Sequence, residues 1–202
     1  KGLNFDIVHN NSTHHITSPL LGTFMVENIC GAFAMACELG IKPENCMRAI
    51  TTFLGIKRRL EKRCDKDVVV FDDIAHSPEK AASTLSTLRS VYSENITAIY
   101  EPNTGNRNPE SIPQYAQAFA NANTVIIPRL SAVKQDPNKP VIMDGKVLSE
   151  VIAKTHSNTQ YIPNDDELVA YLTQNTKKED VIVFLGSHGF RGMIEATCEK
   201  LR

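Results

Sequence analysis

The hydrophobic pattern changes period along the chain, and those changes set the expected elements. Phe5–Val8 and His15–Ser18 predict two short strands. From Thr23 to Leu39, Met25, Asn28, Ile29, Ala32, Phe33 and Ala36 recur at three- and four-residue steps, which predicts a helix that Gly40 ends. Pro43 suits the first position of a second helix running to about Phe53. Leu54–Lys66 is charged and reads as an interdomain linker. Beyond it, short apolar runs alternate with amphipathic stretches. Strands are predicted at Val68–Phe71, Ile96–Tyr100, Thr124–Pro128, Gln160–Ile162 and Val181–Leu185. Helices are predicted at Ser77–Val91, Ile112–Ala120, Lys146–His156, Asp165–Asn175 and Phe190–Leu201. Strands separated by single helices give an α/β fold, a Rossmann-like, mostly parallel sheet with helices on both faces. Ser77, Pro78 and Glu79 form an N-cap, a first-position proline and a first-turn acid.

Composition narrows the function classes. Lys plus Arg number 22 and Asp plus Glu 23, and this near balance argues against a binder of nucleic-acid backbone. No apolar run reaches the roughly 18–20 residues that a membrane span needs, and the first ten residues lack a signal-peptide core. Cys30, Cys37, Cys46, Cys64 and Cys198 contain no CxxC pair and fit free thiols in a reducing cytoplasm. The adjacent His14 and His15 point to opposite faces of a strand and read as structural or surface residues rather than a metal pair. The chain opens without Met and reads as part of a longer protein.

In a parallel sheet, ligands gather where strands end at their carboxyl edge. Asp72-Asp73-Ile74-Ala75-His76-Ser77-Pro78 follows such a strand. Its carboxylates suit ribose hydroxyls, its His a phosphate or substrate, and the helix start an anion; alternatively, Asp73 and His76 only shape the turn. Lys57-Arg58-Arg59 could reach a triphosphate through forked guanidinium contacts, or form a solvated linker. Glu101-Pro102-Asn103-Thr104-Gly105-Asn106-Arg107 would lie on the same edge. There Arg107 is a donor to carboxylate or phosphate, or a member of an ordinary turn. Gly186-Ser187-His188-Gly189 is a glycine-rich strand-to-helix turn without the full GxGxxG spacing. No GxxxxGK[ST], HExxH or GxSxG motif is present.

Taken in order, these segments resemble the Mur ligases. Gly22 and Asn28 match the family's G-x-H-N-x-x-N helix start, with Phe24 and Met25 at the His and Asn positions. Phe53-Leu54-Gly55-Ile56-Lys57-Arg58-Arg59-Leu60-Glu61 is similar to the linker F-x-G-x-x-R-R-x-E. Phe71 to Pro78 is similar to D-D-Y-A-H-H-P, with Ser77 at the second His, and Thr84 to Arg89 fits T-L-x-x-L-R. The resemblance implies the helical end of a central ATPase domain plus linker over 1–57 and a C-terminal Rossmann-like domain over 58–202. It implies a cytoplasmic ligase of peptidoglycan synthesis or recycling that uses ATP and Mg2+. The acid UDP-N-acetylmuramate would be activated as an acyl phosphate and attacked by an amino acid or peptide. The phosphate loop and metal ligands would lie upstream, so the isolated chain is expected to be inactive. Carried over, Asn28 would contact adenine, Arg59 the phosphates or ribose, and Asp73 the ribose. His76 would face the nucleotide or substrate cleft. Asn103, Arg107, Ser187 and His188 are assigned to substrate, Arg107 by its strand-end place alone. Within the family, the linker, Glu101-Pro102 and Gly186–Phe190 are closer to the branch that adds L-alanyl-γ-D-glutamyl-meso-diaminopimelate. The L-alanine-adding branch is the runner-up; it carries His and Arg where Asn103 and Thr104 stand. A non-catalytic α/β binding domain is the reading from another class.

Overall fold

The computed structural model describes residues 2–132 and 141–201. The chain divides into two compact units, Lys1–Ile56 and Lys57–Arg202.

In the first unit, β1 (Leu3–His9) and β2 (Ser12–Ser18) form an antiparallel hairpin. Both strands are longer than their apolar stretches predict, because ladder pairing extends into polar flanks. Asn10 and Asn11 turn the hairpin at φ 47° and 59°, a left-handed pair that asparagine tolerates well. Helices α1 (Phe24–Glu38) and α2 (Pro43–Thr52) follow. Gly40, at φ 87°, ends α1: its N–H donates to the Cys37 carbonyl, and that of Ile41 donates to Ala36. This pair of bonds satisfies the orphan carbonyls of the last turn. Ile7, Ile16, Ile29, Phe33 and Cys46 form the unit's core. His14 packs on the Phe33 ring at 5.3 Å, while exposed His15 bonds Asp6 at 2.8 Å. The two histidines thus face opposite ways, one structural and one at the surface.

The second unit is built on a six-stranded sheet in the order β3-β4-β8-β5-β6-β7. Its strands are β3 (Glu61–Asp65), β4 (Val69–Asp73), β5 (Ile96–Glu101), β6 (Thr124–Pro128), β7 (Thr159–Ile162) and β8 (Val181–Gly186). All neighbours pair in parallel except β3, which lies antiparallel on β4. Strands β4 and β8 are buried at every position; β8 is the continuous apolar run expected of a covered parallel strand, whereas β4 ends in the buried Asp72 and Asp73. Helices α3 (Pro78–Val91) and α4 (Gly145–Ala153) lie on one side with Tyr115 and Phe119. Helices α5 (Asp165–Asn175) and α6 (Met193–Lys200) lie on the other. Alternation along the strands fills both layers. Val70, Ile99 and Phe184 pack with Leu168, Leu172 and Met193. Phe71 meets Tyr92, and Tyr100 meets Tyr115 and Phe119, on the opposite face.

Three expectations are corrected. Part of the predicted linker is strand β3. Its sequence EKRCD is mostly polar, and only backbone pairing to β4 makes it a strand; its charges suit an exposed edge. The helix expected at Ile112–Ala120 is a 3-10 segment, Pro109–Tyr115, followed by turns. Pro113 removes a backbone donor, and Gln117 sits at φ 63°, so an α-helix cannot run through. The last helix begins at Met193 rather than Phe190. Phe190, Arg191 and Gly192 hold φ of 51°, 52° and 88° and break it from the preceding turn.

Candidate functional site

The parallel register brings the carboxyl ends of β4, β8, β5 and β6 to one edge. Asp73 lies beside Leu185, and Glu101 beside Gly186. Asp73 ends β4, and the loops after these strands contain His76, Asn103, Arg107, Ser187 and His188, so six of the sequence-predicted residues share this rim. Asn28 belongs to the first unit, where it is exposed on α1 with its amide 3.7 Å from the Met25 sulfur. Arg59 lies in the turn that precedes β3.

Charge is concentrated and buried along the rim. Asp72, Asp73, Glu101 and Arg107 are all no more than 6% exposed, and a buried charge is costly unless its polar atoms find partners. All four are hydrogen-bonded, and Asp72 and Glu101 are also ion-paired with arginines. One oxygen of Asp73 accepts the Leu60 N–H at 2.7 Å. The other accepts the Ala75 N–H at 2.8 Å and the Thr84 hydroxyl at 3.4 Å. Asp73 therefore fastens both the linker turn and the strand-to-helix turn. Asp72 sits 3.4 Å from both Arg58 and Arg63; burial still raises its pKa, against the pull of the two guanidinium groups.

His76 donates from Nδ1 to the Ile74 carbonyl at 2.8 Å. A carbonyl oxygen can only accept, so Nδ1 carries the proton of that bond. The His76 carbonyl in turn receives the Asn103 N–H at 3.2 Å, the Asn106 side-chain amide at 3.2 Å and the Tyr100 hydroxyl at 3.4 Å. The His76 turn and the Asn103 loop are thus one hydrogen-bonded unit. Arg107 is turned inward: Nε donates to the Met143 carbonyl and Nη1 to the Ser131 carbonyl, both at 2.9 Å. Burial lowers its pKa, opposed by Glu101 and Asp144. Ser187 is half-buried and His188 exposed at the turn after β8.

The adjacent arginines of the linker have different surroundings. Arg58 donates to the carbonyls of Gly186 (2.5 Å), Ser187 (3.0 Å) and His188 (2.9 Å), with Nε toward Asp72. Its own N–H is capped by Glu61 at 2.8 Å. Arg59 is exposed, and its guanidinium bonds none of the described residues. Arg58 and Leu60 both hold left-handed φ, at 58° and 46°. Such strain in non-glycine residues needs surroundings that over-determine it, and it concentrates at functional rims.

A second polar chain on this rim was not legible in the sequence. The carboxylate of Glu101 accepts the Ser131 N–H and hydroxyl at 3.1 and 2.8 Å and Arg191 Nη1 at 3.3 Å. Arg191 also grips Asp165, which lies 3.4 Å from Arg129. The only hint in the sequence was Gly189 and Gly192 flanking Arg191.

Comparisons with known proteins bear on the family and the fold. Residues 58–188 match the family described as Mur ligase, glutamate ligase domain. The chain is 30% identical to a UDP-N-acetylmuramate–L-alanine ligase of Brachyspira hyodysenteriae over 91% of its length and 40% of that relative's. Among solved structures it resembles the UDP-N-acetylmuramate–alanine ligase of Thermotoga maritima. The TM-score is 0.74 at 20% identity, covering 93% of this chain and 40% of that one. A murein peptide ligase of Psychrobacter arcticus gives 0.63 at 24% identity, covering 96% and 40%. These two structural likenesses establish the fold, and the chain spans about two fifths of the relatives it matches. The family match covers most of the second unit, from Arg58 to His188, and the chain belongs to the Mur ligase family.

Proposed function

We propose that this chain is the C-terminal part of an ATP-dependent ligase that joins UDP-N-acetylmuramate to L-alanine in peptidoglycan synthesis. The observation that carries the reading is the 30% identity to an L-alanine ligase across 91% of the chain. This reverses the order expected from the short motifs, which favoured the tripeptide-adding branch. ATP supplies the phosphoryl group that activates the muramoyl carboxylate. The exposed guanidinium of Arg59 is suited to neutralise phosphate charge. Asp73 holds Leu60 and so fixes the turn that carries Arg59, a role compatible with a ribose contact at its edge. Asn28 is assigned to adenine. His76, Asn103, Arg107, Ser187 and His188 are assigned to the amine side. Among the described residues there is no group of three or more His, Cys, Asp or Glu that could hold a metal ion. The ligands of Mg2+ are assigned to the rest of the enzyme on the family resemblance alone. No helix among the described residues is long and apolar enough to cross a membrane.

The tripeptide-adding reading is kept for one reason: Asn103 and Thr104 stand where the alanine-adding branch carries His and Arg. The test is catalytic efficiency of the full-length enzyme with L-alanine and with L-alanyl-γ-D-glutamyl-meso-diaminopimelate, at saturating ATP and UDP-N-acetylmuramate. A higher kcat/KM for L-alanine supports the proposal. Preference for the tripeptide replaces it with the second reading.

A further inference from the structure

We infer that Arg58 is a positioning residue that shapes the Gly186–Gly189 turn from beneath and so sets the affinity for the amine substrate. The inference rests on the assignment of Ser187 and His188 to the amine side. One guanidinium collects three successive carbonyls, those of Gly186, Ser187 and His188. A trans peptide carries its N–H opposite its C=O, so the amides of Ser187, His188 and Gly189 are directed away from Arg58. Successive amides turned the same way make a concavity suited to an anion, as a substrate carboxylate is.

The arrangement is held on every side. Asp72 fixes the Arg58 Nε, Glu61 caps its N–H, and the Arg58 carbonyl receives the Ile74 N–H at 2.9 Å. Gly186 is held close to β5: a Cβ there would lie 2.8 Å from the Glu101 carbonyl oxygen and 3.0 Å from the Phe190 ring. Lysine could not replace this arginine, because a single ammonium lacks the fork that reaches three carbonyls at once. The adjacent Arg59, exposed and without these contacts, is free for a different task.

The test uses the full-length enzyme with Arg58→Gly, which also suits the left-handed backbone at this position, and with Arg58→Lys. Amine KM, ATP KM and the amide NMR resonances of Ser187, His188 and Gly189 are measured with and without added guanidinium ion. The expected result for Arg58→Gly is a rise in amine KM on the order of tenfold with ATP KM within about twofold. The three amide resonances should move, and guanidinium ion should restore both readouts more fully than lysine does. Unmoved resonances would overturn the inference, as would an unchanged amine KM accompanied only by a lower melting temperature. Moved resonances with a raised ATP KM and an unchanged amine KM would leave the tether standing and overturn the amine-side assignment of this turn.

Discussion

Arg191 holds the carboxylate of Asp165 by two parallel hydrogen bonds, Nε to Oδ2 at 2.8 Å and Nη2 to Oδ1 at 3.0 Å. The fork ties the turn before α6 to the first residue of α5, and its remaining nitrogen, Nη1, reaches Glu101. This hydrogen bond from Arg191 holds the Asp165 carboxyl below the usual carboxylate range, with Arg129 adding to the effect. A depressed folded-state pKa contributes stability above the unfolded pKa, and that stability disappears as pH falls through the folded value. Thermal midpoints of wild type and Asp165→Asn should therefore differ most near neutrality and converge as pH falls through the depressed folded-state value, below the usual carboxylate range. A constant difference across that fall in pH would refute the pairing.

Gly186 is required for space. Alanine there would drive its methyl against the Glu101 carbonyl and the Phe190 ring. Both are buried in the sheet and its overlying turn, so neither yields cheaply. Gly186→Ala is expected to destabilise the second unit by about 1–3 kcal/mol, measured as a shift in denaturant midpoint. A change under about 0.5 kcal/mol, the scale of an ordinary surface substitution, would contradict the packing.

Asn164 caps α5, accepting the N–H groups of Asp166 at 2.9 Å and Glu167 at 3.1 Å. Asn164→Ala should cost about 1 kcal/mol, whereas Asn164→Ser or Asn164→Asp should cost much less. Equal losses for all three substitutions in urea unfolding would argue that the cap contributes nothing.

Arg59 is expected to separate binding from stability. Its exposure means that Arg59→Ala should leave the melting temperature almost unchanged. If it meets the nucleotide phosphates, losing a charge-assisted hydrogen bond of about 1.5–3 kcal/mol should raise the ATP KM roughly 10- to 100-fold in the full-length enzyme. An unaltered ATP KM would remove Arg59 from the nucleotide site.

The sequence makes legible those parts of the fold whose cause is local. Val181–Gly186 is a run of buried apolar residues and can hardly be anything but an inner strand. Asp165–Asn175 begins with an asparagine cap and three acids in its first turn, and its expected bounds coincide with the structure. Strand β3 was hidden because a charged edge strand is defined by its partner β4 rather than by its side chains. The segment after Asn108 was misread because its apolar spacing satisfied a helix while Pro113 forbade one. At the rim, motif spacing located Asp73, His76 and the Ser187 turn. It could not distinguish Arg58, bound to three carbonyls, from its exposed neighbour, since that difference comes from tertiary contacts, those carbonyls lying more than a hundred positions away. The Glu101–Arg191–Asp165 chain was out of reach for the same reason: its three members are brought together by strand order and by a left-handed Arg191.

The most direct measurement is the product formed when the full-length protein is given ATP, Mg2+, UDP-N-acetylmuramate and L-alanine. Mass spectrometry should detect UDP-N-acetylmuramate enlarged by one alanyl residue, with ADP released in equal amount and only when both acid and amine are present. ADP formation that ignores UDP-N-acetylmuramate, or no amide product with any amine, would contradict the account.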